Sequence, residues 1–82
     1  MKSYDQEVTC SKIFELAKKK GWTDSKLAKV IELTPQAVSK WHRGGGPSID
    51  NIVMLSDLFQ ISLDDLVGYR ENDLSFQLED GR

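Results

Sequence analysis

One signal for the start of a helix occurs four times along this chain, and it constrains the fold more than any other feature. In each case an apolar residue or a proline precedes a serine or threonine, and another apolar residue follows four positions later. The hydroxyl accepts a hydrogen bond from a free amide in the first helical turn, while the apolar pair packs across the start of the helix. The four signals are Trp22-Thr23 with Leu27, Leu33-Thr34 with Val38, Pro47-Ser48 with Ile52, and Ile61-Ser62 with Leu66.

A further helix precedes these four, because helical spacing of apolar residues runs from about Val8 to Lys20 and ends at Gly21. We therefore predict an all-α domain over residues 8–68, with five helices at about 8–20, 24–31, 35–43, 49–59 and 63–67. The starts are 11, 14 and 14 residues apart, and this unequal spacing argues against a solenoid. Residues 1–7 are then an N-terminal arm and residues 69–82 a C-terminal tail.

The tail alternates apolar and polar residues over Leu74-Ser75-Phe76-Gln77-Leu78, which fits either a short strand or a mobile tail.

Charge is divided along the sequence although the net charge is only -2. Residues 9–43 carry eight lysines and arginines against three acids, and residues 44–82 carry two arginines against eight acids. A basic half is the expected footprint of a protein that binds phosphates. Charged faces that are simply solvated would give the same division, so charge alone does not decide between the two.

Composition narrows the class of protein. The single cysteine, Cys10, forms no internal disulfide, which favours a reducing compartment such as the cytoplasm. The sequence has neither an apolar run of about 20 residues nor a secretory leader, so we expect no membrane association. One histidine and one distant cysteine make no metal-ligand set. No catalytic arrangement stands out, and we therefore expect neither an enzyme nor a cofactor.

The third predicted helix, about Pro35 to Arg43, has two chemically different faces. Ala37, Val38 and Trp41 fall on its apolar side, and the opposite side carries only hydrogen-bonding or cationic residues, namely Gln36, Ser39, Lys40 and Arg43. Glutamine bonds an adenine edge through two hydrogen bonds, and lysine or arginine donates to guanine. This face therefore fits DNA, although an ordinary solvated face would have the same composition.

The stretch from Thr23 to Ala28, followed by Leu33 to Gly44, resembles the helix-turn-helix of the Cro and phage-repressor family, also called the XRE family. The resemblance extends through Pro47-Ser48-Ile49 and Leu55 to Leu66, and it covers about residues 8–67. It implies a lambda-repressor-like domain of five helices in which the third is the recognition helix in the major groove and the second crosses the backbone.

The resemblance also implies roles for individual residues. The residues that read bases would be Gln36, Lys40 and Ser39, with Lys40 on a base or a phosphate. The residues against the DNA backbone would be Thr23, Ser25, Lys26, Thr34, Pro35, Arg43 and Gly44. The core of the motif would comprise Leu27, Ala28, Leu33, Val38 and Trp41. We interpret Gly45 and Gly46 as a flexible connection between helices.

Three residues depart from the family pattern. Asp24 replaces a glutamine that contacts phosphate, Glu32 replaces a turn glycine with positive φ, and His42 replaces a frequent glutamate. Because phosphate repels a carboxylate, we expect Asp24 to turn toward the start of its helix. The phosphate contact then passes to Thr23, Ser25 or Lys26. We expect His42 to be a surface group near the DNA backbone that gains charge at low pH.

The function implied is that of a small transcriptional regulator, a repressor that binds a double-stranded DNA operator as a homodimer. The alternative is an antitoxin or a regulator that binds a protein partner through its acidic C-terminal half. The dimer surface would comprise the fifth helix and the tail, with Tyr69, Leu74, Phe76 and Leu78. These residues would otherwise fold back over the core.

Overall fold

The computed structural model describes residues 2–71, which form five helices and two short strands. In chain order these are β1 (Lys2–Tyr4), α1 (Gln6–Lys19), α2 (Asp24–Val30), α3 (Pro35–Trp41), α4 (Ile49–Phe59), α5 (Leu63–Leu66) and β2 (Tyr69–Glu71). The predicted five-helix fold class is confirmed. The alternating segment 74–78 lies outside the described residues. No helix within residues 2–71 combines the length and apolarity that crossing a membrane requires.

Side-chain caps stand at all four predicted helix starts. Thr23, Thr34, Ser48 and Ser62 have extended backbones, and each hydroxyl accepts a hydrogen bond from the amide three residues later. These bonds are 3.1–3.2 Å long. A cap of this kind contributes about 1 kcal/mol to stability. Local side-chain chemistry therefore sets where α2, α3, α4 and α5 begin.

Helices α1 to α4 also end in one common way, with a backbone that turns into the left-handed region. The residues with positive φ are Gly21 (75°), Glu32 (59°), Gly44 (97°) and Gln60 (58°). After each, the next amide donates to a carbonyl five residues before it, at 2.8–3.1 Å. This is the Schellman closure, which satisfies carbonyls that the helix end leaves free. The expected left-handed turn at Glu32 is therefore present.

Replacing Glu32 with glycine is expected to raise the free energy of unfolding by about 1 kcal/mol. A side chain in the left-handed region costs roughly 1–2 kcal/mol, and glycine relieves this strain. The greater conformational freedom of glycine in the unfolded chain offsets part of the stabilisation. Calorimetry should show a Tm higher by about 4–8 °C for each kcal/mol. Gln60→Gly is the matched comparison, with a smaller gain, because Gln60 Nε2 donates to the Asp57 carbonyl at 2.8 Å. An unchanged or lower Tm for Glu32→Gly would count against this account of the turn.

The two strands bring the ends of the described chain together. They pair antiparallel, with Lys2 opposite Glu71 and Tyr4 opposite Tyr69. Residues 2–4, which the sequence assigns to an arm, are thus part of a sheet, and Tyr69 lies in its second strand. Short strands carry no local signal like the caps that mark the helices. The pairing partner of each strand lies at the other end of the domain, so the sequence around it does not reveal the pairing.

Helix α1 begins at Gln6, earlier than the predicted start at Val8. The Asp5 carboxylate accepts a hydrogen bond from the Val8 amide at 3.1 Å and so caps the helix. Thr9, which is fully buried, then joins α1 to the chain that leaves α5. Its hydroxyl accepts from the Gly68 amide at 2.7 Å and donates to the Asp5 carbonyl at 3.0 Å. The Asp5 amide completes the junction by donating to the Gly68 carbonyl at 3.0 Å.

One hydrophobic core lies beneath all five helices. Its buried residues are Cys10, Ile13, Ala17, Leu27, Ala28, Ile31, Val38, Trp41, Ile52, Leu55, Phe59 and Leu66. Four of the five residues assigned to the core of the motif are among them, and the fifth, Leu33, is half-buried and packs against them. Burial of α2 and α3 in this core fixes which face of each helix remains in solvent.

Candidate nucleic-acid interface

Helix α3 is held by its apolar side, which turns its polar side outward. Val38 is fully buried and Trp41 is 6% exposed, so both anchor the helix in the core. Trp41 also packs against the Phe14 ring of α1, with centroids 6.4 Å apart. The orientation of α3 is therefore set by packing rather than by the residues on its outer face.

The outer face of α3 presents groups that are free to bind. Gln36 and Lys40 are exposed, as is Arg43 just beyond the helix, and Ser39 is half-buried. Within residues 2–71 the side chains of Gln36, Lys40 and Arg43 have no hydrogen-bond or ion-pair partner. The structure thus places the predicted base-reading residues on one side of one helix. Their amide and ammonium groups suit the hydrogen-bonding edges of bases in a major groove.

Two threonines flank this face and keep a hydrogen to donate. Thr23 and Thr34 begin α2 and α3, and each uses its oxygen to accept from a helix amide at 3.2 Å. A threonine hydroxyl also has one O–H donor, which capping does not consume. Both residues are exposed, as are Ser25, Lys26 and Pro35. The predicted backbone-contacting residues of α2 and α3 therefore lie on the surface, where a phosphate can reach them.

The glycines after α3 form a packed turn, which corrects the interpretation of Gly45 and Gly46 as a flexible connection. A Cβ on Gly45 would lie 2.9 Å from the Lys40 carbonyl oxygen, and one on Gly46 would lie 2.4 Å from the Gln6 side chain. Gln6 Nε2 also donates to the Gly44 carbonyl at 2.7 Å. The turn is thus tied to the start of α1, and sequence reasoning missed Gln6 because it lies 38 residues away.

Two of the three departures from the family pattern contact each other. His42 Nε2 lies 2.9 Å from Asp24 Oδ2, with about half of each side chain exposed. The imidazole ring stacks on Phe14, with centroids 3.8 Å apart and an angle of 11° between the planes. Asp24 lies in the first turn of α2, as expected, but its carboxylate also reaches the end of α3. The signal that sequence reasoning passed over was that both unusual residues occur in one motif.

Cys10 lies beneath the turn, buried at 4% exposure, with its Sγ 3.5 Å from the Gly45 carbonyl oxygen. Burial raises the pKa of the Cys10 thiol. Within residues 2–71, no group of three or more His, Cys, Asp or Glu side chains is placed to hold a metal ion.

We expect Cys10 in the folded protein to react with a thiol reagent far more slowly than a free cysteine. Only the thiolate is reactive, and a raised pKa lowers its fraction at any given pH. The same shift makes stability fall as the pH rises above about 8.5, where the unfolded thiol ionises and the buried one does not. Alkylation followed by mass spectrometry in increasing urea measures how fast the Cys10 thiol reacts in the folded and in the unfolded protein. Rapid labelling before unfolding would contradict it.

Comparison with known proteins identified one matching family and solved structures of similar fold. The sequence profile of the helix-turn-helix family matches residues 13–66. The crystal structure of a transcriptional regulator from Listeria innocua is similar, with a TM-score of 0.68 and 27% identity over 87% of this chain and 70% of that chain. A search of curated proteins found no significant match.

Crystal structures of HppE with its substrate are also similar. The iron(II) form has a TM-score of 0.71 and 18% identity, over 85% of this chain and 40% of that chain. The cobalt(II) form has a TM-score of 0.67 and 17% identity, over 83% of this chain and 39% of that chain. At these identities the likeness concerns the fold alone.

Proposed function

This chain belongs to the helix-turn-helix family, and on that premise we propose that it is a transcriptional regulator that binds duplex DNA sequence-specifically. Helix α3 enters the major groove and α2 crosses the phosphate backbone. The regulator acts as a repressor, by occupying an operator. Its role is binding without catalysis, and its place of action is the cytoplasm.

The observation that carries this proposal is the outer face of α3. Gln36 and Lys40 project from a helix whose opposite side is locked in the core, and neither is engaged by the described part of the protein. Side chains that are positioned and unpaired gain hydrogen bonds from a base edge without first breaking bonds of their own. Arg43, Thr23 and Thr34 surround them with donors to phosphate oxygens, which hold the helix in register.

We further propose that the protein binds as a homodimer. A single short recognition helix makes few base contacts, and a two-fold site doubles them. The half-sites would then lie about one helical turn, roughly 34 Å, apart. Leu63 on α5 and Tyr69 on β2 are 43% and 48% exposed. These exposed apolar groups support the predicted dimer surface at this end of the chain, while Leu74, Phe76 and Leu78 lie outside the described residues.

A second candidate function is regulation through a protein partner, as in an antitoxin. It is favoured by exposed apolar residues on α4, where Ile49 is 67% and Val53 49% exposed. They lie in the acidic half of the chain, away from the basic half that contains α3. In this alternative the partner covers α4, and DNA binding is secondary.

Selection of binding sites from a pool of random duplex DNA distinguishes the two functions. Enrichment of a palindromic sequence supports a dimeric reader, and the spacing of its halves measures the distance between the two recognition helices. The Gln36→Ala/Lys40→Ala variant is the parallel control and should enrich nothing. If the unmodified protein enriches no sequence and binds only weakly in a salt-dependent way, the partner-binding function is preferred.

A further inference from the structure

Asp24 places a negative charge within the basic part of the interface. The stretch of residues 9–43 contains three acids, and one of them, Glu15, lies beside Lys19 on α1 at 3.8 Å. Asp24 is the acid at the N-terminal turn of α2, and it lies 2.9 Å from His42 at the end of α3. The helix that crosses the DNA backbone thus carries a carboxylate where it approaches phosphates, and the chain's one histidine lies against it.

The surroundings of His42 hold it at that carboxylate. Its ring stacks on Phe14, so that Nε2 is directed at Asp24 rather than free to turn away. The charged groups around it are Asp24 from α2, Arg43 next in the chain, and Glu7 of α1, which lines the same cleft together with Cys10. Because about half of each side chain of the pair is exposed, an added proton reaches His42 without unfolding the domain.

We propose that His42 is a positioning residue for DNA binding that neutralises Asp24 when it is protonated. This inference rests on the proposed DNA-binding function and adds a dependence on pH. With a neutral imidazole the pair carries the full charge of Asp24, which repels a phosphate at the start of α2. With an imidazolium the pair is neutral, and the start of α2 approaches the backbone. Affinity for duplex DNA therefore rises as the pH falls and the pair takes up a proton.

The size of the effect follows from the charge removed. Two like charges about 4 Å apart in water repel enough to change an equilibrium by about fivefold. The unmodified protein should thus bind duplex DNA about fivefold more tightly at about pH 6 than at about pH 8. A carboxylate in the first helical turn also stabilises the helix. Asp24→Asn is therefore expected to lower stability slightly while raising affinity, and a merely structural role for Asp24 would lower both.

The test measures fluorescence anisotropy of a random-sequence duplex, the same pool used for site selection, with each variant at both pH values and constant ionic strength. Asp24→Asn should bind about fivefold more tightly than the unmodified protein at the higher pH, because the repelling carboxylate is gone. His42→Gln should lose the pH dependence and remain at the weaker affinity at both pH values. Asp64→Asn, which removes the same charge from the first turn of α5, should keep the original dependence. Melting curves verify that each variant is folded.

The outcomes separate this inference from the function on which it rests. If the unmodified protein binds the duplex but Asp24→Asn binds no more tightly at the higher pH, the role of the Asp24–His42 pair is wrong and DNA binding stands. If His42→Gln retains the original pH dependence, the inference is equally overturned, because the titrating group lies elsewhere. If the unmodified protein binds no duplex at either pH, the proposed function and this inference fall together.

Discussion

Replacing Gln36 and Lys40 together with alanine is expected to remove the protein's preference for one DNA sequence while leaving it folded. A well-placed pair of hydrogen bonds to a base contributes roughly 1–3 kcal/mol to discrimination, so two lost contacts lower affinity for the selected site by about 30-fold or more. Both side chains are exposed and without partners inside residues 2–71, and their removal therefore leaves the core and the caps intact. Anisotropy titrations with the selected and the random duplex measure the change, and melting curves verify the fold.

The single variants assign each side chain its role. Loss of a base contact relaxes specificity at one position, whereas loss of a phosphate contact weakens all sequences and lowers the salt slope by about 1. Gln36→Ala is expected to do the first, and the result for Lys40→Ala decides between a base and a phosphate. Lys19→Ala removes the same charge from α1, where Lys19 lies near Glu15, and controls for a general loss of charge. A double variant that keeps its sequence preference would exclude α3 from the groove.

Gly68→Ala is expected to destabilise the domain by about 3 kcal/mol or more. A Cβ at this position would lie 2.5 Å from the Val8 Cβ and 2.6 Å from the Thr9 amide nitrogen, so backbone must move. Overpacking of this kind costs about 1–3 kcal/mol. The shift also disturbs the two hydrogen bonds that join Gly68 to Thr9 and Asp5, each contributing about 1 kcal/mol. For a small domain, whose stability is about 5–15 kcal/mol, this is a large share.

Urea unfolding of Gly68→Ala and Gly21→Ala measures this cost against a matched control. Gly21 has a φ of 75° but nothing within 4 Å of an added Cβ, so alanine there meets backbone strain without a clash. Its expected cost is about 1–2 kcal/mol. If Gly68→Ala proves no more destabilising than Gly21→Ala, the junction between α1 and β2 has room that the structure does not show.

Structural features formed by residues close together in the sequence were predictable, whereas features formed by residues far apart in the sequence were not. The caps at Thr23 and Ser48 each involve residues within one helical turn, so a short pattern reveals them. The left-handed turn at Glu32 was implied by the resemblance to the family, because glutamate itself does not mark such a turn. The pairing of β1 with β2 joins residues at opposite ends of the domain, and neither strand has a distinctive composition. Nothing local marks three residues of ordinary polarity as a strand.

The candidate interface divides in the same way. The outer face of α3 follows from helical spacing, so Gln36 and Lys40 are identifiable from the sequence. The contact of Asp24 with His42 spans 18 residues and depends on the packing of α2 against α3. Gln6 acts on the glycine turn only because α1 crosses beneath it. Such contacts depend on tertiary packing, which one sequence does not encode in a readable pattern.

The pairing of Lys2 with Glu71 has a consequence for engineering. Because Lys2 and Glu71 lie side by side in adjacent strands, the two ends of residues 2–71 are next to each other on the domain. Adjacent termini are what permit circular permutation and insertion of one domain into another. Residues 2–71 can therefore be inserted as a unit into a surface loop of a carrier protein. Alternatively, their two ends can be joined and new ends opened elsewhere, and α3 stays intact in both designs.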